Sequence, residues 1–422
     1  MYVSFEEWTK SRQLASLGTN AGSEPLPFQG WRKFKEAFAP ELVSRAIGES
    51  PRPVRRILDP FGGCGTTALA GQFLGAHPTI IEVNPYLSDL IEAKISSYDF
   101  DLIQNSYCEV VEVAAGRWED PRELYASAPA SFTEPGINGR YIFSLPVLGR
   151  ITAYRSAVDA LPHAAPRRLL RVLLATAAVS VSNVVISGKG RRYRRRWADR
   201  MPDPDAFDQA FRQAVLTAIF DLRRYEARRC RTYTLKRGDA RQLIQDIDTT
   251  DLAVFSPPYP NSFDYTDVYN IELWLLGYLN GKAANRALRE STIRSHVQIK
   301  RDMSADPSLS PLLKEVQSAL EYHRDKLWNP HIPAMIGAYF SDMRAIMRTL
   351  YEKLCKGGRA YMVVGDSRYA GVDVPVASIL SQEISSIGFD LIAAEPFRSM
   401  RASPQQGGRA ELSESLIVCA RP

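Results

Sequence analysis

Short apolar runs punctuate the chain at Val54–Asp59, Thr79–Asn84, Tyr233–Asp239, Leu252–Pro257, Arg359–Asp366, Asp390–Ala394 and Glu414–Ala420. Each ends in small or turn-forming residues, and runs of that length and closure predict strands buried on both faces. Between them, apolar positions recur every three or four residues. The clearest case is Met335, Ile336, Tyr339, Phe340, Met343, Ile346, Met347, Leu350, Tyr351 and Leu354, which predicts a helix opened by Pro333 and closed by Gly357 and Gly358. Strands alternating with helices imply an α/β fold on a doubly wound, mostly parallel sheet.

Two intervals break that rhythm. Residues 101–232 show no convincing strand but carry helical patterns (Leu169, Leu170, Leu173, Leu174, Ala177; Phe211, Val215, Ile219, Leu222), which predicts a large helical insertion. A second, polar insertion spans about 280–330. The chain therefore divides into a first half-domain at 1–100, the insertion at 101–232, and a second half-domain at 233–422. The longest apolar stretch, Val172–Ile186, is interrupted by Thr176, Ser180, Ser182 and Asn183, falls short of a span of ~20 residues, and reads as a buried helix. The opening residues carry acids and no signal-peptide core, so a cytoplasmic protein with no membrane partner is expected.

Composition narrows the class. The chain has 422 residues, 45% hydrophobic and 24% charged, which excludes wholesale disorder and suits two or three domains. The five cysteines lie far apart with no C-x-x-C pair, which points to a reducing compartment. The net charge of +6 is local: Lys189, Arg191, Arg192, Arg194, Arg195, Arg196 and Arg200, against Asp199 alone, account for all of it. One loop facing a polyanion explains that better than general basicity does.

The first strand runs into Asp59-Pro60-Phe61-Gly62-Gly63-Cys64-Gly65-Thr66-Thr67-Ala68, a G-x-G-x-x-A loop that opens a helical pattern. Glycines there let a ligand approach the backbone and let the chain turn sharply, although a tight turn alone would ask for the same residues. Glu82, 17 residues beyond Gly65 at the end of the next strand, is placed to accept from both hydroxyls of a ribose. Asp59 beside the loop suits a cationic cofactor better than a pyrophosphate. The loop by itself does not separate a nicotinamide from a sulfonium cofactor.

The strand at Leu252–Phe255 stops at Ser256-Pro257-Pro258-Tyr259. Two prolines supply no amide donors, so the chain must leave the sheet at its carboxyl edge, where open α/β sheets bind ligands. Pro-Pro alone would indicate only a rigid turn.

Asp59-Pro60-Phe61-Gly62-Gly63-x-Gly65-Thr66-Thr67 followed by Ser256-Pro257-Pro258-Tyr259 resembles the S-adenosylmethionine-dependent DNA amino-methyltransferases, which methylate N4 of cytosine or N6 of adenine. The resemblance extends to Trp31–Val43, similar to the segment that closes over the methionine end of the cofactor and includes Lys33 and Phe34. It extends further to Glu82-Val83-Asn84-Pro85 at the ribose, Arg237-Gly238-Asp239-Ala240 at the adenine, and the last three strands. It covers about residues 30–100 and 233–422 and leaves the insertion unmatched. It implies a Rossmann-like methyltransferase sheet. It also implies a cofactor site of Lys33, Phe34, Asp59, Pro60, Phe61, Gly63, Gly65, Thr66, Thr67, Glu82, Asn84, Asp239, Ala240 and Ser256. The implied catalytic set is Ser256, Pro257, Pro258 and Tyr259: the Ser256 hydroxyl and the Pro257 carbonyl accept from the amine, and the Tyr259 ring stacks on a flipped base. No metal is implied, and the five histidines show no ligand spacing.

A serine in the first tetrad position leans toward N4-cytosine in that family. An N6-adenine enzyme and an RNA base-amine methyltransferase remain alternatives. With double-stranded DNA as the partner, Lys189, Arg191, Arg192, Tyr193, Arg194 and Arg195 are the candidate contacts, against a merely solvated charged helix; Asn261 is another, against a plain connecting loop. A second cluster (Arg223, Arg224, Arg228, Arg229, Arg231) reads equally as DNA contact or helix surface. A second copy of the chain and a cognate restriction enzyme stay open as partners, as does the recognised sequence.

Overall fold

The computed structural model describes residues 2–14, 16–20, 22–32, 37–186, 191–199, 202–306, 308–401 and 411–422. Its centre is a seven-stranded sheet. The strands are β1 (Arg56–Asp59), β2 (His77–Glu82), β3 (Thr234–Arg237), β4 (Thr250–Phe255), β5 (Leu354–Gly365), β6 (Asp390–Arg401) and β7 (Glu411–Ala420). Their order across the sheet is β6-β7-β5-β4-β1-β2-β3, parallel except where β7 pairs antiparallel with β5 and β6. From β1 the chain winds outward through β2 and β3, then returns to β4 on the other side of β1. That reversal opens a crevice at the carboxyl ends of β1 and β4.

Side chains alternate across the strands and build a core on each face. Ile57, Ile80, Leu252, Val254, Tyr361 and Val363 join one core, while Leu58, Ile81, Ala253, Phe255, Met362 and Val364 join the other. Burial on both faces is why the strands read as unbroken apolar runs. The first core is covered by α1 (Pro40–Gly48), α2 (Thr66–Leu74) and α3 (Pro85–Ile95), and continues without a break into the insertion. The second is covered by α8 (Pro311–Tyr322), α9 (Ile332–Lys353) and α10 (Val376–Ile387).

All seven expected strands form, but β6 runs on to Arg401 where the apolar signal stops at Ala394. Antiparallel pairing with β7 carries it on, through mixed residues such as Glu395 and Arg398 that give no buried-strand pattern. Among its described residues the insertion holds four long helices, α4 (Phe100–Ala114), α5 (Leu145–Asp159), α6 (Ala164–Val181) and α7 (Pro204–Arg224). The run Val172–Ile186 is not one helix. It ends at Val181, and Val184–Ile186 pairs with Arg191–Tyr193 as a β-hairpin. Arg191–Tyr193 of the basic block therefore form a hairpin strand, and residues 194–196 follow it outside any α-helix. Among the described residues no helix is long and apolar enough to cross a membrane.

Candidate active site

The crevice is a cavity of about 370 Å³. Asp59, Pro60, Phe61, Gly63, Thr66, Glu82, Asn84, Asp239, Ala240, Ser256, Pro257, Pro258, Tyr259 and Asn261 all line it, drawn together from four strand ends. Gly65 and Thr67 stand behind that wall. Gly65 (φ +83°) caps α2 in a left-handed conformation that favours glycine, and Thr67 Oγ1 donates to the Val254 carbonyl at 3.0 Å, tying the loop to β4. Lys33 and Phe34 lie outside the described residues, but their neighbours Ala37 and Phe38 line the cavity. Arg32, just before them, is pinned by a buried ion pair to Glu272 at 2.7 Å.

The glycine loop is held by backbone. The Gly62 N–H donates to the Ile81 carbonyl at 2.9 Å, and a Cβ at Gly62 would stand 2.4 Å from Ile80 Cγ2. Glu82 accepts from the Gly63 N–H at 2.7 Å and the Asn84 N–H at 2.8 Å, and Asp59 accepts from the Phe61 N–H at 2.9 Å. Asn84 caps α3 through the Tyr86 and Leu87 amides. Burial pushes both acids up to about 7, against those backbone donors, and the charge of Asp59 adds to the rise at Glu82. Below the loop, Lys94 is 1% exposed and donates to the Cys64 carbonyl at 2.8 Å; its burial lowers its pKa.

The tetrad end is built mainly on side-chain hydroxyl and carboxylate groups, with one main-chain carbonyl among them. Ser256 Oγ lies 3.0 Å from the Val363 carbonyl, to which it can donate, and 3.3 Å from the Tyr259 hydroxyl. The Tyr259 hydroxyl donates to Glu414 Oε1 at 3.0 Å, and Arg398 Nε donates to Glu414 Oε2 at 2.5 Å. Glu414 and Arg398 also line the cavity. Glu414 lies outside the site set expected from the sequence, where its signal is an acid opening an otherwise apolar strand. His296 is likewise outside that set, and the second insertion brings it to the cavity wall in the segment Ser291–His296. That segment is fixed by Arg294 on Asp342 at 2.7 Å and by the Ser262 N–H on the Ser295 carbonyl at 3.0 Å. His296 is 1% exposed, and burial together with Arg301 and Arg289 pushes its pKa down to about 3.

The hairpin reaches toward the same region, since Arg191 feels the charges of Asp267 and Glu272 just beyond the tetrad loop. Arg192 and Arg195 are exposed. Tyr193 is half-buried, with Arg140 over its ring and Trp197 beside it. Arg194 corrects the expectation of an outward-facing block: its guanidinium turns inward onto the Ser182, Val179 and Ser180 carbonyls at the end of α6. Helix-end carbonyls lack intrahelical donors, which is why a cation settles there. Lys189 lies outside the described residues. In the second arginine cluster, Arg228 is buried and donates to the Lys94 carbonyl at 2.9 Å, while Arg231 pairs with Glu226 and Arg224 with Glu7.

No family model matches the chain. It is 29% identical over 98% of its length to the type II methyltransferase M.AvaI of Nostoc sp., of which it covers 89%. It is 24% identical over 100% of its length to the type II methyltransferase M.BsoBI of Geobacillus stearothermophilus, of which it covers 90%. Among solved structures, TehB from Haemophilus influenzae aligns over 92% of this chain and 63% of its own at 7% identity and a TM-score of 0.32, too low to bear on fold or function.

Proposed function

We propose that the chain is an S-adenosylmethionine-dependent DNA methyltransferase acting on the exocyclic N4 amine of cytosine in a flipped-out base, as the modification partner of a restriction or other defence system. One observation carries the reading. Ser256 can give its hydroxyl hydrogen to the Val363 carbonyl, leaving its lone pairs for an incoming amine in the cavity that also holds the glycine loop, Asp59 and Glu82. Full-length likeness to two type II methyltransferases supports it.

The lining suits this cofactor. Glu82 and Asp59 are buried acids at two strand ends, fit for ribose hydroxyls and a cationic ammonium, and the backbone around Gly63 allows close approach. Asp239 and Ala240 close the same cavity at the end of β3, where an adenine would lie. The cofactor supplies a methyl group activated on a sulfonium sulfur. The protein's task is then to make a poor nucleophile reactive, because the lone pair of the base amine is delocalised into the ring. Holding its two hydrogens on Ser256 Oγ and the Pro257 carbonyl favours a pyramidal nitrogen aimed at the methyl, and such positioning supplies several kcal/mol. The Tyr259 ring stacks on the base and offsets part of the few kcal/mol that flipping costs. Exposed Arg192 and Arg195 contact phosphates, and Asn261 on the cavity wall contacts the base.

Incubation with plasmid and S-adenosylmethionine, followed by mass spectrometry of the nucleosides, tests the assignment. N4-methylcytosine is expected. N6-methyladenine alone would overturn the base, and methylation of RNA but not DNA would overturn the substrate.

A further inference from the structure

Methylation leaves a proton to be removed. Attack of the amine lone pair on the methyl carbon forms the C–N bond while the C–S pair returns to sulfur, and the nitrogen is left cationic with one hydrogen too many. Resting on the reading above, we infer that Ser256, Tyr259 and Glu414 form a proton relay that carries this hydrogen out of the pocket.

The chain of hydrogen bonds is continuous: 3.3 Å from Ser256 Oγ to the Tyr259 hydroxyl, and 3.0 Å from there to Glu414 Oε1. Once the serine hydroxyl turns its hydrogen from the Val363 carbonyl to the Tyr259 oxygen, the base nitrogen gives its proton to Ser256 Oγ as the serine proton passes to Tyr259. The tyrosine proton passes in turn to the Glu414 carboxylate, which ends neutral and releases it to solvent. Serine and tyrosine finish as they began. Burial and the charge of Glu414 hold the Tyr259 phenol well above its usual range, so it has a proton to pass at working pH. An alkylated base nitrogen stripped of its conjugation is a strong acid and gives its proton up readily along the chain. Arg398 fixes the carboxylate at 2.5 Å from its other side. Glu414 acts through Tyr259 without touching the base and is a positioning and relay residue.

Tyr259→Phe keeps the stacking ring and removes only the hydroxyl link; Glu414→Gln keeps the shape and removes the acceptor. The expected result is a loss of roughly tenfold to a hundredfold in single-turnover methyl transfer for each. Plasmid and cofactor Kd by direct titration should stay within about twofold of the parent, and the double variant should be no slower than the worse single. A solvent isotope effect present in the parent should disappear in Tyr259→Phe. Parent-like transfer by Tyr259→Phe overturns the relay, as does a loss confined to Kd or to melting temperature. A parent protein that methylates no nucleic acid would instead refute the function itself.

Discussion

The two ends of the cavity are made in different ways. At the glycine-loop end the acids are satisfied by main-chain N–H groups within a few residues of the loop or across one strand pair. At the tetrad end Ser256 and Tyr259 meet locally, but the groups that anchor them are remote: Val363 is 107 residues from Ser256, and Glu414 is 155 from Tyr259. Backbone donors fix a ligand's place and tolerate little change in chain shape. Side-chain networks can be tuned, and lost, one group at a time.

The largest expected effect falls at the tetrad. Tyr259→Ala removes ring and hydroxyl together and should slow turnover by roughly fivefold to 150-fold beyond Tyr259→Phe, since stacking on a base is worth about 1–3 kcal/mol. Cofactor affinity, measured by calorimetry, should barely move, because that affinity belongs to the other end. An equal loss of cofactor binding would erase the division. Next in size is Gly62→Ala, where the new methyl meets Ile80 Cγ2 at 2.4 Å and must displace the loop from β2. A cost of about 2 kcal/mol is expected, shared between unfolding stability and cofactor affinity. Retained affinity would show that the loop's fit to β2 is not what shapes that end.

The same division governs what the sequence reveals. The glycine loop and Ser256-Pro257-Pro258-Tyr259 are legible because glycine and proline mark local backbone demands, and the central strands are legible because both faces are buried. Glu414 and Arg398 sit on strands whose pairing no local pattern announces. The hairpin stayed hidden because Val172–Ile186 looks continuous, yet α6 ends at Val181 and the chain re-enters as a strand at Val184. Charge was the least informative signal. Charge alone does not tell which arginines of either cluster face outward, and the structure buries Arg228 while leaving Arg192 in solvent.

The pH response should separate the ends again. Asp59 and Glu82, ordinarily 3.8 and 4.5, are both raised to about 7 by burial. Between about pH 4.5 and 7 the folded chain therefore keeps protons that the unfolded chain has released. Stability of the ligand-free protein declines as pH rises through that window and levels off above it. Urea midpoints from pH 4.5 to 8 should show the decline, and Glu82→Gln should make it shallower, leaving the share that belongs to Asp59. Cofactor affinity should run the other way, weakening below about pH 7 as the carboxylates that receive the ribose and ammonium become neutral. A flat stability profile in the parent would mean that the loop donors already hold both acids ionised.

The smallest effect contrasts the two arginine groups. Arg192 is exposed on the tetrad-side hairpin and Arg195 in the turn that follows it, so replacing both with alanine should lower the salt slope of plasmid binding by roughly 1 for each phosphate no longer neutralised, with unfolding stability unchanged. Arg228 lies under the glycine loop, where it donates to the Lys94 carbonyl, while the Lys94 ammonium donates to the Cys64 carbonyl. Arg228→Ala should leave the slope intact and cost stability, because it strips a donor from a buried carbonyl and a cation from the rings of Phe28 and Phe73. If the hairpin variant kept the parent slope, the exposed arginines would be solvated surface, and DNA affinity would have to come from elsewhere on the molecule.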